Sequence, residues 1–189
     1  LYDKAGAQVE AMAQAVGEGV GRIEGAEAVI RDITMATPED LLDADGIVLG
    51  SPNWNGITGR LKLWLDDMSD LGQEGLLEGK MGGAFTAGWG RSSGTEFTLF
   101  ALIHWMLSVG MIIVGLPWTD RMVTSGSYYG ATVHGTVTED DLEQARSAEG
   151  QLRQLQAERI ELQQRVNALQ AQLDGARRQL QDREENSAI

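Results

Sequence analysis

The run Gly50-Ser51-Pro52-Asn53-Trp54-Asn55-Gly56 brings two carboxamides and one indole together between glycines. The carboxamides and backbone amides can hydrogen-bond the edge of a flat heteroaromatic ligand while the indole covers its face. Apolar Gly46-Ile47-Val48-Leu49 precedes the run and amphipathic Leu61-Lys62-Leu63-Trp64-Leu65-Asp66 follows it. That order predicts a buried strand, a polar loop and a helix. In an open α/β sheet, ligands bind at loops leaving the carboxyl ends of the strands.

Two further loops have the same setting. The first, Asp3 to Gln8, leads into a helix beginning near Ala7. Its amides and the helix N-terminus suit a phosphate, Gly6 permits close backbone approach, and Lys4 adds a positive charge. The loop carries no hydroxyl, and Asp3 opposes an anion; an ordinary strand-to-helix turn explains it equally well. The other loop, Gly88-Trp89-Gly90-Arg91-Ser92-Ser93-Gly94, frames an indole with glycines and offers Arg91 to a phosphate or to solvent.

Gly90-Arg91-Ser92-Ser93-Gly94 also fits the G-x-S-x-G pattern of a hydrolase nucleophile elbow, with Asp120 and His134 following in the order such enzymes use. Gly88-Trp89 separates the motif from the strand, so the match is weak. His104 and His134 are the two histidines, and cysteine is absent. A zinc site, a disulfide and a thiol nucleophile are therefore not expected, and no metal site is assigned.

These loops need a frame. Val9, Met12, Ala13 and Val16 predict a helix over 7–20. Ala28-Val29-Ile30 reads as a short strand, and Thr37-Pro38-Glu39-Asp40 as a helix start. Strands are predicted over 46–49, 81–87 and 109–114, and helices over 58–68, 95–107 and from Thr138 onward; 116–135 reads as irregular. Strands alternating with helices predict a parallel sheet covered on both faces. Leu1-Tyr2 stands directly before a turn, which reads as the end of a first strand whose start lies upstream.

The 28 acidic and 15 basic residues leave a net charge of −13. This balance argues against non-specific nucleic-acid binding. No apolar run has the length of a membrane span and no signal peptide is visible, so a cytoplasmic setting is expected.

The tail differs from the rest. Ala145, Leu152, Arg159, Val166, Leu173 and Leu180 form one heptad series, and Ala148, Leu155, Leu162, Leu169 and Ala176 the other. The pattern predicts a coiled-coil helix. A single solvated helix is the alternative, and Gly150 and Gly175 each weaken it by about 1 kcal/mol relative to alanine. We place the domain boundary between 148 and 149, with residues 1–148 as the ligand-binding domain and 149–189 as a coiled-coil extension.

Over about 1–148 the chain resembles the flavodoxin-like NAD(P)H:quinone oxidoreductases, the WrbA family. The resemblance lies in the collinear order of the Tyr2-to-Gly6 loop, Gly50-Ser51-Pro52, Leu61-Lys62 with Leu65-Asp66, the third loop with Glu96, Gly110-Met111-Ile112-Ile113-Val114, and Tyr129-Gly130-Ala131-Thr132. It implies a five-stranded α/β doubly wound parallel sheet of order 2-1-3-4-5 holding FMN at its carboxyl edge. The implied cofactor contacts are Asp3, Lys4, Gly6, Ala7, Gln8 and Val9 for the phosphate, and Pro52, Asn53, Trp54, Asn55 and Gly56 beside the ring. Thr86, Ala87, Gly88, Trp89, Gly90 and Arg91 complete the set.

The implied activity passes electrons from NAD(P)H through FMN to a quinone-like acceptor, usually in a homo-oligomer. No catalytic side chain is assigned, because the flavin carries the chemistry. The chain departs from the family in Ala5, Ala7 and Gln8 of the phosphate loop, in a shorter second loop, in Val109 where a histidine is frequent, and in the heptad tail. A flavodoxin-like electron carrier, and a non-catalytic scaffold oligomerised by its coil, are the alternative readings.

Overall fold

The structure is a computed structural model and describes residues 1–187, with side-chain surroundings for these apart from 148–160, 163 and 179–187. The chain divides into two compact units, Leu1–Arg153 and Gln154–Ile189.

The first unit is built on strands β1 (Gly46–Pro52) and β2 (Met81–Gly88), paired in parallel from Gly46 opposite Met81 to Pro52 opposite Ala87. Both are almost wholly buried, as their continuous apolar and glycine-rich sequences require. On the far side of β2 lie two short parallel strands, β3 (Ile112–Ile113) against its start and β4 (Ala131–His134) against its end. On the near side of β1, Tyr2 bridges both Gly50 and Asp32 in parallel. Counting the Asp32 and Tyr2 segments, the order is the expected 2-1-3-4-5, with the last strand divided into β3 and β4.

Two expectations need correction. Ala28-Val29-Ile30 forms no strand, and pairing in that region is confined to a bridge at Asp32. The segment 116–135 is not irregular throughout, because it ends in β4. Residues 114–130 leave the sheet between β3 and β4 and include a 3₁₀ turn at Asp120–Val123. Glycines permit close contacts at both ends of this excursion. A Cβ at Gly115 would lie 2.7 Å from the Tyr128 carbonyl oxygen, and one at Gly130, where φ is +156°, 2.2 Å from that of Ala84.

Helices cover both faces. α1 (Ala7–Gly21) buries Val9, Met12, Ala13 and Val16 against Phe85, Ala87, Ala131 and Val133. The start of α6 (Glu139–Ser187) joins this layer through Ala145, and a Cβ at Gly19 would lie 2.3 Å from the Arg146 carbonyl oxygen. On the opposite face lie α2 (Pro38–Leu42), α3 (Gly59–Asp67), α4 (Ser69–Gln73) and α5 (Thr95–Ser108). Leu41, Leu61, Leu65, Leu99, Leu102 and Met106 pack together there. The α5 contacts Thr95, Thr98, Leu99, Leu102 and Met106 recur at helical spacing, so one stripe of the helix faces the sheet.

In the second unit, α6 continues to Ser187. Leu162, Val166, Leu169 and Leu173 are 45 to 61% exposed. The heptad residues Ala148, Leu152, Leu155, Arg159 and Leu180 lie outside the residues whose side chains are described. Among the described residues, no helix is long and apolar enough to cross a membrane.

Candidate functional site at the carboxyl edge of the sheet

The parallel sheet brings the three loops to one edge, and hydrogen bonds join them. Asp3 closes the first loop against the second. Its carboxylate is 1% exposed, accepts from Thr58 Oγ1, and takes a hydrogen bond from Arg60 Nη2 at 2.5 Å. Thr58 is also the N-cap of α3, accepting from the Leu61 amide. The opposition between Asp3 and a bound anion is thus relieved by a buried hydroxyl and a guanidinium. Asp3 acts by positioning the loop.

Asn53 ties the second loop to the third. Its Nδ2 donates to the Ser93 carbonyl at 2.7 Å, and its backbone amide donates to Ala87 at 2.8 Å. Its Oδ1 accepts from Thr98 Oγ1 at 2.9 Å and from the Gly56 amide at 3.3 Å. With Asn53 spent on this frame, the next residues project outward: Trp54 is 62% exposed and Asn55 takes a left-handed φ of +59°. Across the edge, Trp89 is 90% exposed. Two indoles on separate loops therefore face solvent, an arrangement that leaves apolar surface for a planar ring.

Strand β4, which sequence reading missed, completes the link. Gly88 and His134 are register partners, the Gly135 amide donates to Gly88 at 2.8 Å, and Gln8 Nε2 donates to the Gly135 carbonyl at 2.9 Å. The end of β4 thus joins the first loop to the third. The signal lay in Ala131-Thr132-Val133-His134, a β-rich segment bounded by Gly130 and Gly135.

The phosphate loop supplies few side-chain donors. Lys4 pairs with Glu10 at 2.7 Å, and Gln8 is held by Gly135. The Lys4 amide donates to Asp32 Oδ2 at 2.9 Å. Burial raises the Asp32 pKa, but bonds from Thr34 and the Lys4 amide outweigh it and hold the carboxyl below its ordinary value. At the start of α1, Gly6 provides no side-chain cap, so the first-turn amides of Ala7, Gln8 and Val9 retain the capacity to bind an anion. An uncapped fifteen-residue helix, two outward indoles and glycines lining the edge fit FMN. The donors available for its phosphate are backbone amides.

The hydrolase constellation is not assembled. Ser92 is exposed, and His134 Nε2 lies 3.2 Å from Thr95 Oγ1. Burial, reinforced by Arg91, lowers the His134 pKa below its ordinary value despite the opposing influence of Asp141 and Glu96. His104 is exposed on α5, and Val109 is buried. Among the described residues, no group of acidic and histidine side chains could hold a metal ion.

Comparison with known proteins agrees with this geometry. Residues 20–119 match the NADPH-dependent FMN reductase family. The chain is 39% identical over 118 residues to an NAD(P)H dehydrogenase (quinone) from Archaeoglobus fulgidus, covering 62% of each protein. It is 36% identical over 159 residues to one from Cupriavidus metallidurans, covering 70% of this chain and 79% of that protein. The fold is similar to the flavodoxin WrbA-like protein from Agrobacterium tumefaciens, with a TM-score of 0.66 at 21% identity, covering 83% of this chain and 94% of the other. Three strand-end loops on a doubly wound sheet, together with these matches, show that the chain belongs to the NADPH-dependent FMN reductase family.

Proposed function

We propose that the protein is an FMN-dependent oxidoreductase that takes electrons from NAD(P)H and reduces a quinone-like acceptor. The observation that carries the proposal is the convergence of an uncapped α1 N-terminus with two solvent-facing indoles, Trp54 and Trp89, on loops joined through Asn53 and Gly135. Bound FMN supplies the redox chemistry, relaying electrons from donor to acceptor.

The chain's own residues bind and orient. The amides of Ala7, Gln8 and Val9, at the positive end of the α1 dipole, hold the phosphate. Pro52, Trp54, Asn55 and Gly56, with Gly88 to Arg91, line the ring, and Trp54 and Trp89 are its apolar cover; Thr86 is wholly buried and donates to the Ser51 carbonyl, so it braces the strands beneath. Asp3 and Asn53 hold the three loops in register without needing to touch the flavin. Lys4 and Arg91 add positive charge to an edge of a strongly acidic protein.

Residues 149–189 serve as a coiled-coil extension that joins copies into a homo-oligomer, supported by the outward Leu162, Val166, Leu169 and Leu173 at heptad spacing. Because NAD(P)H is an intracellular reductant, we place the protein in the cytoplasm.

The test is a visible absorption spectrum of the purified protein before and after addition of FMN, followed by anaerobic addition of NADPH. Flavin bands that stay with the protein through gel filtration and bleach with NADPH support the proposal. Protein that remains colourless in excess FMN overturns it.

A further inference from the structure

A protein of net charge −13 offers its lysines and arginines many carboxylates, and before residue 148 nearly every one has a partner. Lys4, Arg22, Arg31, Arg60, Lys62, Arg121 and Arg146 pair with acidic side chains, and Lys80 donates to the Leu42 and Ala44 carbonyls at 2.6 Å. Arg91 is the exception. It is exposed, and among the described residues its guanidinium has neither a hydrogen bond nor an ion pair.

The fold holds this cation at the tip of a tight turn in the third loop. The Ser93 amide donates to the Gly90 carbonyl at 3.1 Å, so Arg91 and Ser92 are the two central residues. The base of the turn is pinned, since Asn53 Nδ2 donates to the Ser93 carbonyl at 2.7 Å and Gly94 takes a left-handed φ of +84°. Arg91 and Ser92 both line a cavity of about 580 Å³ beside the loop. Glu96 lines it too, but Ser127 Oγ donates to that carboxylate at 3.2 Å and it forms no ion pair with Arg91. An unpaired guanidinium and an exposed hydroxyl therefore project from a fixed turn next to the flavin edge.

We propose that Arg91, with Ser92, selects NADPH over NADH by binding the phosphate monoester on the adenosine ribose of the electron donor. The inference rests on the flavin reading above and names which form of NAD(P)H the site takes. The two donors differ only in that phosphate, which carries nearly two negative charges at neutral pH. A guanidinium donates to two phosphate oxygens at once, and a serine hydroxyl adds a third donor. Position agrees with this role. The Arg91 backbone belongs to the ring loop, but the residue lies two positions beyond Trp89, a chain length of up to about 7 Å. Its side chain extends outward from there, so it serves the end of the donor remote from the reacting ring. On an acidic protein that repels anions as a whole, an uncompensated cation at this point also gives the more highly charged donor a local attraction.

The experiment uses the full chain loaded with FMN. Steady-state turnover with saturating menadione gives kcat/KM for NADPH and for NADH in the wild type, Arg91→Gln and Arg91→Lys. Calorimetric titration with adenosine 2′,5′-bisphosphate, and with AMP for comparison, reads the same contact without turnover. The wild type should prefer NADPH. Arg91→Gln should lower the NADPH-to-NADH selectivity ratio about ten-fold and weaken the bisphosphate by a similar factor. Arg91→Lys keeps the charge without the planar fork and should fall between the two. Because Arg91 holds no partner in the fold, both variants should melt with the wild type. A wild type without preference for NADPH overturns the inference. So does an Arg91→Gln ratio within two-fold of the wild type, including an equal loss with both donors, which would put the guanidinium on the pyrophosphate they share. Failure of the flavin reading has a different signature: the wild type then takes up no FMN and oxidises neither donor.

Discussion

Asp3→Asn tests whether the flavin edge is held together by a buried carboxylate. The substitution keeps the size of the side chain and removes its charge. In the wild type the carboxylate accepts from Thr58, itself 2% exposed, and from Arg60, whose side chain is 58% exposed. A hydrogen bond to a charged group contributes about 1.5–3 kcal/mol when buried. The Arg60 pair is screened by solvent and contributes about 0.2–1 kcal/mol. Asparagine retains one acceptor oxygen but turns an NH₂ toward a donor, so the net loss should be about 2–3 kcal/mol. For a chain of this size that corresponds to a fall in Tm of roughly 4–12 °C.

A ladder of variants separates the two bonds. Thr58→Val loses the Asp3 bond and the α3 cap together, whereas Thr58→Ser keeps both and should melt near the wild type. Arg60→Met should cost under about 1 kcal/mol. Because Asp3 joins the first loop to the second, Asp3→Asn should also weaken FMN binding in a titration followed by visible absorption. An Asp3→Asn protein that melts within 1 °C of wild type, or an Arg60→Met protein that loses more stability than Asp3→Asn, refutes this account.

Three other outcomes follow from the same structure. Trp54→Ala removes an exposed indole, so FMN Kd should rise roughly ten-fold while Tm stays unchanged, since nothing in the core is lost. Gly88→Ala would place a Cβ 2.7 Å from Ser93 Oγ and Thr95 Cγ2; it should push the third loop outward, cost about 1–3 kcal/mol in denaturant titration, and weaken FMN binding. Between the lowered folded pKa of His134 and its ordinary value near 6.5, the unfolded chain binds more protons, so stability should rise with pH across that window and the slope should flatten in His134→Gln.

Much of the frame is legible because it rests on local pattern. Apolar runs such as Gly46-Ile47-Val48-Leu49 bury both faces of a strand, and the helical spacing of Val9, Met12 and Val16 covers one of them. The outward placement of Trp54 was also legible, since asparagines and a glycine beside an indole do not build a core. β4 was not, because four residues enclosed by turn-forming glycines carry too little periodicity to outweigh their surroundings. Pairing with the end of β2 is what makes Ala131–His134 a strand.

The sequence by itself determined the alternation of strands and helices, the loops at the strand ends and the heptad spacing of the tail, because each depends on residues within a few positions of one another. Tertiary structure alone decided what those loops do for one another. Asp3 reads as an obstacle to an anion until folding brings Thr58 and Arg60 to it. Asn53 reads as a ligand contact until Ser93 and Thr98 claim its carboxamide. The physical reason is the same in each case: the free energy of a buried polar group depends on the partners that the fold delivers, and those partners lie far away along the chain.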